Sequence, residues 1–445
     1  MSAREHWGSS LGFVLASAGS AVGLGNIWRF PTVVAQNGGG AFVAVYLVVV
    51  LFIGLPAMMS EMVMGRAAQR NVVGAFKVLK PRSSWFLVGA IGGLAAFIIL
   101  SYYSVIAGWG LYFLYLTLSG DLQGLAAPQL AQVFATFTGN PLGPVLLHFV
   151  FMALTALVVK TGVGKGIERY SKIMMPSIFV ILLILLVRSL SLEGAMEGVY
   201  WFLRPDLSGL SLQGVLIATG QAFFSFSLGM GALVTYGSYL TGRENIPESA
   251  AYVAFADVAV ALLAGLVVIP AVFAFGFPPE TGPGLVFVTI PAILNSLPLG
   301  SLFGTAFFLL LLFAALTSSV SLMEVITAIF IDERRWSRTT ATLITGATAF
   351  LLGVPSAIGT GTIAGYARTG AEFLGLMDFF ASNVLLPVGG LLLALFVGWV
   401  WGVKRAAREM SLGAPTFKGV ATWAFLVRYA VPAAIAIILV VGLLG

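Results

Sequence analysis

The chain has 445 residues, of which 59% are hydrophobic and 9% are charged, against roughly 25% charged in an average soluble domain. It contains no cysteine, which excludes disulfides and thiol chemistry, and its two histidines, His6 and His148, are too widely separated to indicate a zinc or haem site. A net charge of +6 would suit a nucleic-acid binder if the basic residues were clustered on one surface.

Long apolar segments recur along the whole chain, and each is long enough to cross about 30 Å of hydrocarbon. Eleven are predicted, at 9–35, 41–65, 86–118, 142–159, 173–192, 213–240, 249–276, 299–331, 339–355, 371–402 and 422–444. The first is too long for a signal peptide and lacks a small-residue cleavage site, so we expect it to remain in the protein. The pattern predicts an all-α polytopic membrane protein with a single transmembrane domain over residues 1–445.

The basic residues are concentrated in alternate loops. With a cytoplasmic N-terminus, the 23 Lys and Arg residues all fall on the inner side except Arg29, Arg188, Arg204 and Arg368. This positive-inside bias sets the orientation of membrane proteins, and it accounts for the net charge without a nucleic-acid partner. We therefore predict a multi-pass protein of the plasma (inner) membrane, surrounded by lipid, with its C-terminus outside.

The first span contains three glycines within seven residues near its centre, Gly19, Gly23 and Gly25. Each costs about 1 kcal/mol relative to alanine in a helix interior, and unpaired backbone at membrane depth is tolerated only where it is buried in protein or lines a cavity. The sixth span has a similar stretch, Ser225 to Gly231. Interrupted spans at matching positions of two five-helix halves are typical of a secondary transporter's midplane site, although such glycines also permit close helix packing.

Several polar residues near these breaks are expensive to bury. Asp257, in the seventh span, costs roughly 2.5–3.5 kcal/mol on insertion scales. A bound cation would compensate, and the alternative is a protonated Asp257 that is hydrogen-bonded to a neighbour. Asn26 and Ser225 add oxygen atoms, and hard donors of this kind suit a small hard cation. The eighth span carries a stripe on one helical face, suited to close packing or to ion coordination: Ala314, Thr317, Ser318 and Ser321.

Other polar residues in the spans have structural or gating interpretations. Tyr103 lies near the centre of the third span, where its hydroxyl needs a partner. Glu61 is expected to accept hydrogen bonds from backbone amides freed at a break, and a proton-carrying role is the alternative. Opposite charges flank the central region on both sides and would form two gates if they pair, directly or through water; otherwise they are unrelated surface charges. These are Arg29 and Asp378 toward the outside, and Arg4 and Asp332 toward the inside.

Taken together, these features resemble the neurotransmitter:sodium symporter family over nearly the whole chain. The segments that carry the resemblance are Arg4-Glu5-His6-Trp7, GSAVGLGNIWRFP at 19–31, NGGGAF at 37–42, GIER at 166–169, SFSLGMG at 225–231 and LTSS at 316–319. The resemblance implies two inverted five-helix repeats, at about 9–192 and 213–402, with broken first and sixth helices, plus an extra helix at about 422–444. It also implies a sodium-coupled amino acid importer that works by alternating access, and not an enzyme.

The resemblance implies site residues as well. One sodium ion would bind with the substrate carboxylate at Ala21, Asn26, Ser225 and Asp257, and a second at Gly19, Val22, Ala314, Thr317 and Ser318. The amino acid substrate would be held by Ser20, Ala21, Leu24, Gly25, Ile99, Tyr103, Phe224, Ser225, Ser227, Met230, Ser318 and Leu322. The outer gate would comprise Arg29, Tyr103, Phe224 and Asp378, and the inner gate Arg4, Trp7, Ser238, Tyr239 and Asp332. Gly166 and Pro176 resemble the family's unwinding motif in helix five, which opens water access to the second sodium.

Departures from the family pattern refine these expectations. Many members carry Asn where this chain has Asp257, and chloride-dependent members place that anion beside the first sodium, so the carboxylate predicts chloride independence. Gly23 stands where monoamine transporters carry Asp, so the substrate should bring its own carboxylate. Met230 replaces a Phe found in a relative, and its flexibility predicts a range of hydrophobic and aromatic L-amino acids. Only eleven of the family's twelve spans are predicted, which leaves the oligomeric state open.

Two alternatives remain from the sequence. The first is a sodium-dependent transporter selective for one amino acid such as Tyr, Trp or Leu. The second is an ion channel, but channels line a continuous pore with rings of ligands, whereas the polar residues here cluster at one depth. A membrane enzyme has no support, because no nucleophile–base pair or metal constellation is found near the breaks.

Overall fold

The computed structural model describes residues 4–276, 284–358, 370–414 and 417–444, and within them the chain forms helices without any strand. The main helices are α1 (Ser10–Ala21), α2 (Gly25–Gln36), α3 (Gly40–Ala68), α4 (Val72–Leu79), α5 (Phe86–Ser119), α6 (Ala127–Gly139), α7 (Leu142–Lys160), α8 (Val163–Leu190), α9 (Ala195–Leu203), α10 (Leu212–Ser225), α11 (Ala232–Gly237), α12 (Ile246–Ala274), α13 (Leu285–Asn295), α14 (Gly300–Arg334), α15 (Arg338–Ile358), α16 (Phe373–Val400), α17 (Val403–Ser411) and α18 (Val420–Val441). The predicted all-α architecture is confirmed.

Nine helices in the described ranges are long and apolar enough to cross a membrane, and a tenth span results if the pair α1–α2 is counted as one. That pair is bent by 51° at its break. The predicted sixth span is present as two shorter helices, α10 with 14 residues and α11 with 6. The total of eleven crossings therefore stays a prediction, as does the division into two inverted repeats, and Arg368 lies outside the described residues.

Both central breaks occur where the sequence concentrates glycine. Helix α1 ends at Ala21, Val22 adopts an extended conformation, and the helix resumes at Gly25. In the second break, Gly229 and Gly231 have φ angles of +81° and +76°, a left-handed conformation that favours glycine. A side chain at Gly229 would also lie 2.4 Å from the carbonyl oxygen of Leu386. The second break is thus fixed by local conformation and by close approach of α16.

The first helix lies at the centre of the bundle. It packs against α8, α12 and α14, so both its end and the break are surrounded by protein. An ideal Cβ on Gly19 would lie only 3.0 Å from the Cβ of Thr317, which shows how closely α1 and α14 approach. Helix α8 is continuous from Val163 to Leu190 and contains both Gly166 and Pro176, so the predicted unwinding segment is helical in this structure.

Candidate functional site

A buried carboxylate lies beside the first break. The Asp257 side chain is fully buried, and it accepts hydrogen bonds from Asn26 Nδ2 at 2.8 Å, Ser225 Oγ at 2.8 and 2.9 Å, and the Tyr46 hydroxyl at 3.2 Å. These donors offset part of the cost of burying a charge. The sequence analysis grouped Asp257, Asn26 and Ser225 but did not include Tyr46. Like Tyr103, Tyr46 is a tyrosine in the middle of a predicted span, where its hydroxyl needs a partner.

The side-chain amide of Asn26 has an orientation that the sequence did not predict. Its nitrogen faces Asp257, while its oxygen accepts a hydrogen bond from the Gly23 amide at 3.1 Å. Gln221 in α10 donates to the Gly25 carbonyl at 3.1 Å. Side chains therefore satisfy part of the backbone freed by the break. The oxygen expected to meet a cation faces the backbone here, and rotation of the amide group would turn it toward Asp257.

The polar stripe of α14 lies against backbone carbonyls of α1. Thr317 Oγ1 lies 3.5 Å from the Val22 oxygen and 3.0 Å from the Ala314 oxygen. Ser318 Oγ lies 3.2 Å from the Val22 oxygen and 3.4 Å from the Gly19 oxygen. All five residues predicted for the second sodium site therefore contribute oxygens to one cluster. Close helix packing and a shared set of oxygen donors occur at the same place, so the geometry is compatible with both interpretations of the stripe.

A small cavity of about 30 Å³ lies between the two broken spans. It is lined by Ser20, Ala21, Gly23, Gly25, Ile99, Tyr103, Phe224, Ser225, Ser227, Met230, Ser318 and Leu322. The lining includes every residue predicted to hold the substrate except Leu24, whose backbone amide donates to the Tyr103 hydroxyl at 2.9 Å. A cavity of this size holds about one water molecule, so an amino acid side chain requires the flexible Met230 or the adjacent Phe224 to move.

On the predicted inner side, charged and aromatic groups close the end of α1. Arg4 forms an ion pair with Asp332 at 2.9 Å and donates to the Ser238 carbonyl at 3.0 Å. The guanidinium carbon of Arg4 also lies 5.0 Å from the centre of the Tyr239 ring. Trp7 is buried and donates through its indole nitrogen to the Tyr236 carbonyl at 3.0 Å. The backbone amide of Trp7 also donates to the Tyr239 carbonyl at 3.3 Å, so the five residues predicted for the inner gate are all in one network.

Two further charged residues complete this network and were not singled out in the sequence. Glu324, fully buried in α14, forms an ion pair with Arg338 at 2.7 Å and accepts a hydrogen bond from the Tyr239 hydroxyl at 2.6 Å. Arg338 also pairs with Glu5 at 3.1 Å. Glu324 is an acid within a predicted span, so the criterion that identified Asp257 would also have found it.

On the predicted outer side, the two gate charges are not in contact. The guanidinium carbon of Arg29 lies 4.9 Å from the centre of the Phe224 ring. Asp378 instead accepts hydrogen bonds from the Tyr102 hydroxyl at 2.8 Å and from Ser382 at 2.9 Å. No acid among the described residues lies within ion-pair distance of Arg29. The inner pair is thus formed and a direct outer pair is not.

Two buried acids hold backbone near the helix breaks and ends. Glu61 in α3 accepts a hydrogen bond from the Gly229 amide at 2.8 Å, in the second break, as the sequence predicted. Glu168 in α8 accepts hydrogen bonds from the Gly8 amide at 2.7 Å and the Ser9 hydroxyl at 2.8 Å. It therefore ties the start of α1 to the first turns of α8, a link that the sequence analysis did not identify.

The comparisons with known proteins agree with this architecture. The profile of the Sodium:neurotransmitter symporter family (SNF) matches residues 4–126 and 138–444. The chain is 44% identical over 440 residues to an uncharacterised sodium-dependent transporter of Bacillus subtilis, YhdH, covering 99% of this chain and 97% of that protein. It is 35% identical over 425 residues to an uncharacterised sodium-dependent transporter of Methanocaldococcus jannaschii, covering 92% and 84%.

A solved structure gives the same result for the fold. The crystal structure of MhsT in complex with L-phenylalanine matches with a TM-score of 0.91 and 44% sequence identity, covering 98% of this chain and 99% of MhsT. Fold, family profile and sodium-dependent relatives therefore converge, and they identify a transporter and not an enzyme. The chain belongs to the sodium:neurotransmitter symporter family and is a sodium-dependent, multi-pass membrane transporter.

Proposed function

We propose that the protein imports hydrophobic and aromatic L-amino acids together with sodium by alternating access. One observation carries this proposal. A buried acid, backbone groups freed from helical hydrogen bonding and an apolar pocket wall lie together between two broken helices. The L-phenylalanine in the MhsT structure supports an amino acid with a large apolar side chain. A transporter selective for a single amino acid such as Tyr, Trp or Leu is the alternative.

We assign the first sodium ion to Ala21, Asn26, Ser225 and Asp257, with the substrate carboxylate as a further ligand. All of these groups offer oxygen, which suits a small hard cation, and Asp257 supplies a negative charge that its neutral neighbours do not cancel. The second ion is assigned to the α14 cluster: Gly19, Val22, Ala314, Thr317 and Ser318. Two cooperating ions predict a sigmoidal dependence of uptake on sodium concentration.

The substrate itself is assigned to the cavity. Its carboxylate would face the amides of Leu24 and Gly25, at the start of α2, where the helix dipole favours negative charge. The Tyr103 hydroxyl, already 2.9 Å from the Leu24 amide, is placed to donate to the same carboxylate. The amino group would face carbonyls around Ala21, Phe224 and Ser227. The apolar wall for the side chain consists of Ile99, Phe224, Met230 and Leu322.

Transport is expected to need no chloride. Asp257 already places a negative charge beside the proposed first sodium, so a second anion there would add repulsion. Uptake into proteoliposomes should therefore be unchanged when gluconate replaces chloride on both sides of the membrane. A collapse of uptake under that exchange would contradict this part of the proposal.

The N-terminus is proposed to face the cytoplasm, with the described C-terminal helix ending outside. The concentration of basic residues in one set of alternate loops, the set that would be cytoplasmic in this orientation, supports it. Because the chain has no cysteine, single cysteines can report sidedness directly. In intact cells, Gln123→Cys in the loop after α5 should react with an impermeant maleimide, whereas Ser84→Cys before α5 should react only after permeabilisation. The reverse pattern would invert the assignment.

Reconstitution tests the central proposal. Purified protein in proteoliposomes should accumulate labelled leucine or phenylalanine against a gradient when sodium is high outside, and should not do so when potassium replaces sodium. Across the twenty amino acids, sodium-dependent thermal stabilisation should be largest for Leu, Met, Phe, Tyr and Trp. No response to any of these five would overturn the substrate class. Sodium current without solute accumulation would instead favour a channel.

A further inference from the structure

Arg428 lies within the last described span and has no acidic partner. Its guanidinium carbon is 4.0 Å from the centre of the Trp399 ring and 5.7 Å from the centre of the Tyr429 ring. Trp399 donates through its indole nitrogen to the Arg428 carbonyl at 3.0 Å. The Nε atom of Arg428 is buried and has no hydrogen-bond partner, and no acid in the described chain lies within ion-pair distance.

The surroundings of Arg428 face outward from the bundle. Trp399, Phe425 and Tyr429 are 50%, 60% and 48% exposed. Exposed Trp and Tyr side chains at the end of a span mark the membrane–water interface. A charged side chain in a lipid-facing position is costly unless it finds a partner. Because the described residues supply none, the partner of Arg428 is expected to come from the membrane.

The neighbouring helix α17 adds positive charge to the same end of the bundle. Lys404, Arg405 and Arg408 are exposed along one face, while Ala406 and Met410 are buried on the other. Its one acid, Glu409, is drawn inward by an ion pair with Arg66 in α3 at 2.9 Å. That pair fixes the rotation of α17, so its outer face carries only basic charge. Helix α17 also contacts the first turns of α18, which carries Arg428.

We propose that Arg428, flanked by Trp399 and Tyr429, and the basic face of α17 bind the headgroup of an anionic phospholipid in the adjacent leaflet. The phosphate would accept hydrogen bonds from the guanidinium group, a charge-assisted pairing, and the acyl chains would cover the exposed aromatic rings. A second copy of this chain does not suit the surface, because twofold contact would bring like charges together. Free phosphate would leave the aromatic rings uncovered.

Lipid-dependent thermal stability of the delipidated full-length protein in detergent tests this site. Added phosphatidylglycerol should stabilise the protein, whereas phosphatidylcholine and inorganic phosphate should have no comparable effect. Arg428→Gln should weaken the apparent phosphatidylglycerol affinity by about fivefold, since one basic residue near an anionic membrane surface is worth about 1 kcal/mol. Replacing Lys404, Arg405 and Arg408 together by Gln should weaken it further.

Matched controls separate this site from general charge effects. Arg188→Gln removes an arginine that also lies over an aromatic ring, Phe303, at 5.9 Å, and it should leave the phosphatidylglycerol response unchanged. If Arg428→Gln does not fold, native mass spectrometry of the wild-type protein tests the same site. More phosphatidylglycerol than phosphatidylcholine should then remain bound. Equal stabilisation by both lipids, an equal effect of inorganic phosphate, or an unchanged response in Arg428→Gln would overturn the proposal. If the wild-type protein is a dimer and Arg428→Gln dissociates it, the surface binds a second copy of the chain and not a lipid.

Discussion

At the scale of single residues, the Tyr103 hydroxyl contacts both the backbone of the first break and the cavity. It accepts a hydrogen bond from the Leu24 amide at 2.9 Å, and we propose that it donates a hydrogen bond to the substrate carboxylate. Tyr103→Phe should therefore raise the KM for amino acid by about 10–100-fold, because a hydrogen bond to a charged group contributes roughly 1.5–3 kcal/mol. The maximal rate should change less. Tyr115→Phe, at an exposed position of the same helix, is the control, and equal KM values in both variants would exclude a role for the Tyr103 hydroxyl.

The charge of Asp257 is predicted to set the anion requirement of transport. Asp257→Asn keeps the size of the side chain but removes the negative charge beside the proposed first sodium. Sodium affinity should fall at low chloride, and added chloride should restore it in part, since a small anion can replace the lost charge. The measurement is sodium-dependent uptake in chloride and in gluconate.

The control for this charge change is Asp206→Asn, which neutralises an exposed acid in the loop before α10. That variant should transport equally in both anions. If Asp257→Asn behaves in the same way, Asp257 does not provide the compensating charge and the assignment of the first ion is wrong. The explanation given above for the proposed chloride independence of the wild-type protein would then fail as well.

At the scale of helices, the contact of α14 with α1 has two interpretations that one substitution separates. Thr317→Val keeps the shape that packs against Gly19 but removes the hydroxyl near the Val22 and Ala314 carbonyls. If the stripe binds sodium, the sodium concentration for half-maximal uptake should rise about tenfold or more, consistent with roughly 1.5–3 kcal/mol for one ligand of a charge. Flux measured over a range of sodium concentrations provides this value.

The neighbouring serine supplies a matched control on the same helix. Ser319 lies on another face of α14 and forms a hydrogen bond with Thr155 at 3.1 Å, away from the break. Ser319→Ala should leave the sodium dependence unchanged. A Thr317→Val protein with wild-type sodium dependence would show that the stripe serves helix packing alone.

The same elements show what the sequence can predict and what it cannot. The breaks of α1–α2 and α10–α11 have local signatures, glycines and polar residues within apolar segments, so their position followed from the sequence pattern. The residues that line the cavity were expected only from the resemblance to the symporter family, because no local pattern identifies them. Glu324 and Tyr46 carried the same signature and were overlooked. The orientation of the Asn26 amide and the separation of Arg29 from Asp378 depend on rotamers and partners distant in sequence, which no local pattern encodes.

At the scale of the whole molecule, the proposed alternating access requires that the network around Arg4 open while the opposite side closes. Arg4 links the start of the chain to Asp332 and Ser238, so Arg4→Ala should shift the population toward open inner states. Asp332 also accepts a hydrogen bond from the Asn71 amide at 2.7 Å. Loss of Arg4 therefore does not leave that acid without a partner, and we expect the variant to fold.

The absence of native cysteine makes this shift measurable by the labelling rate of one introduced thiol. Thr235 is fully buried in α11, on the predicted inner side of the second break, and its hydroxyl has no partner within the described chain. In a Thr235→Cys background, sodium should slow maleimide labelling, and Arg4→Ala should accelerate it and weaken the effect of sodium. Arg169→Ala, which removes an exposed basic residue at the same end of the bundle, should label like the parent. If Arg4→Ala also labels like the parent, the Arg4–Asp332 pair does not limit opening, and the buried Glu324–Arg338 pair becomes the stronger candidate for the inner gate.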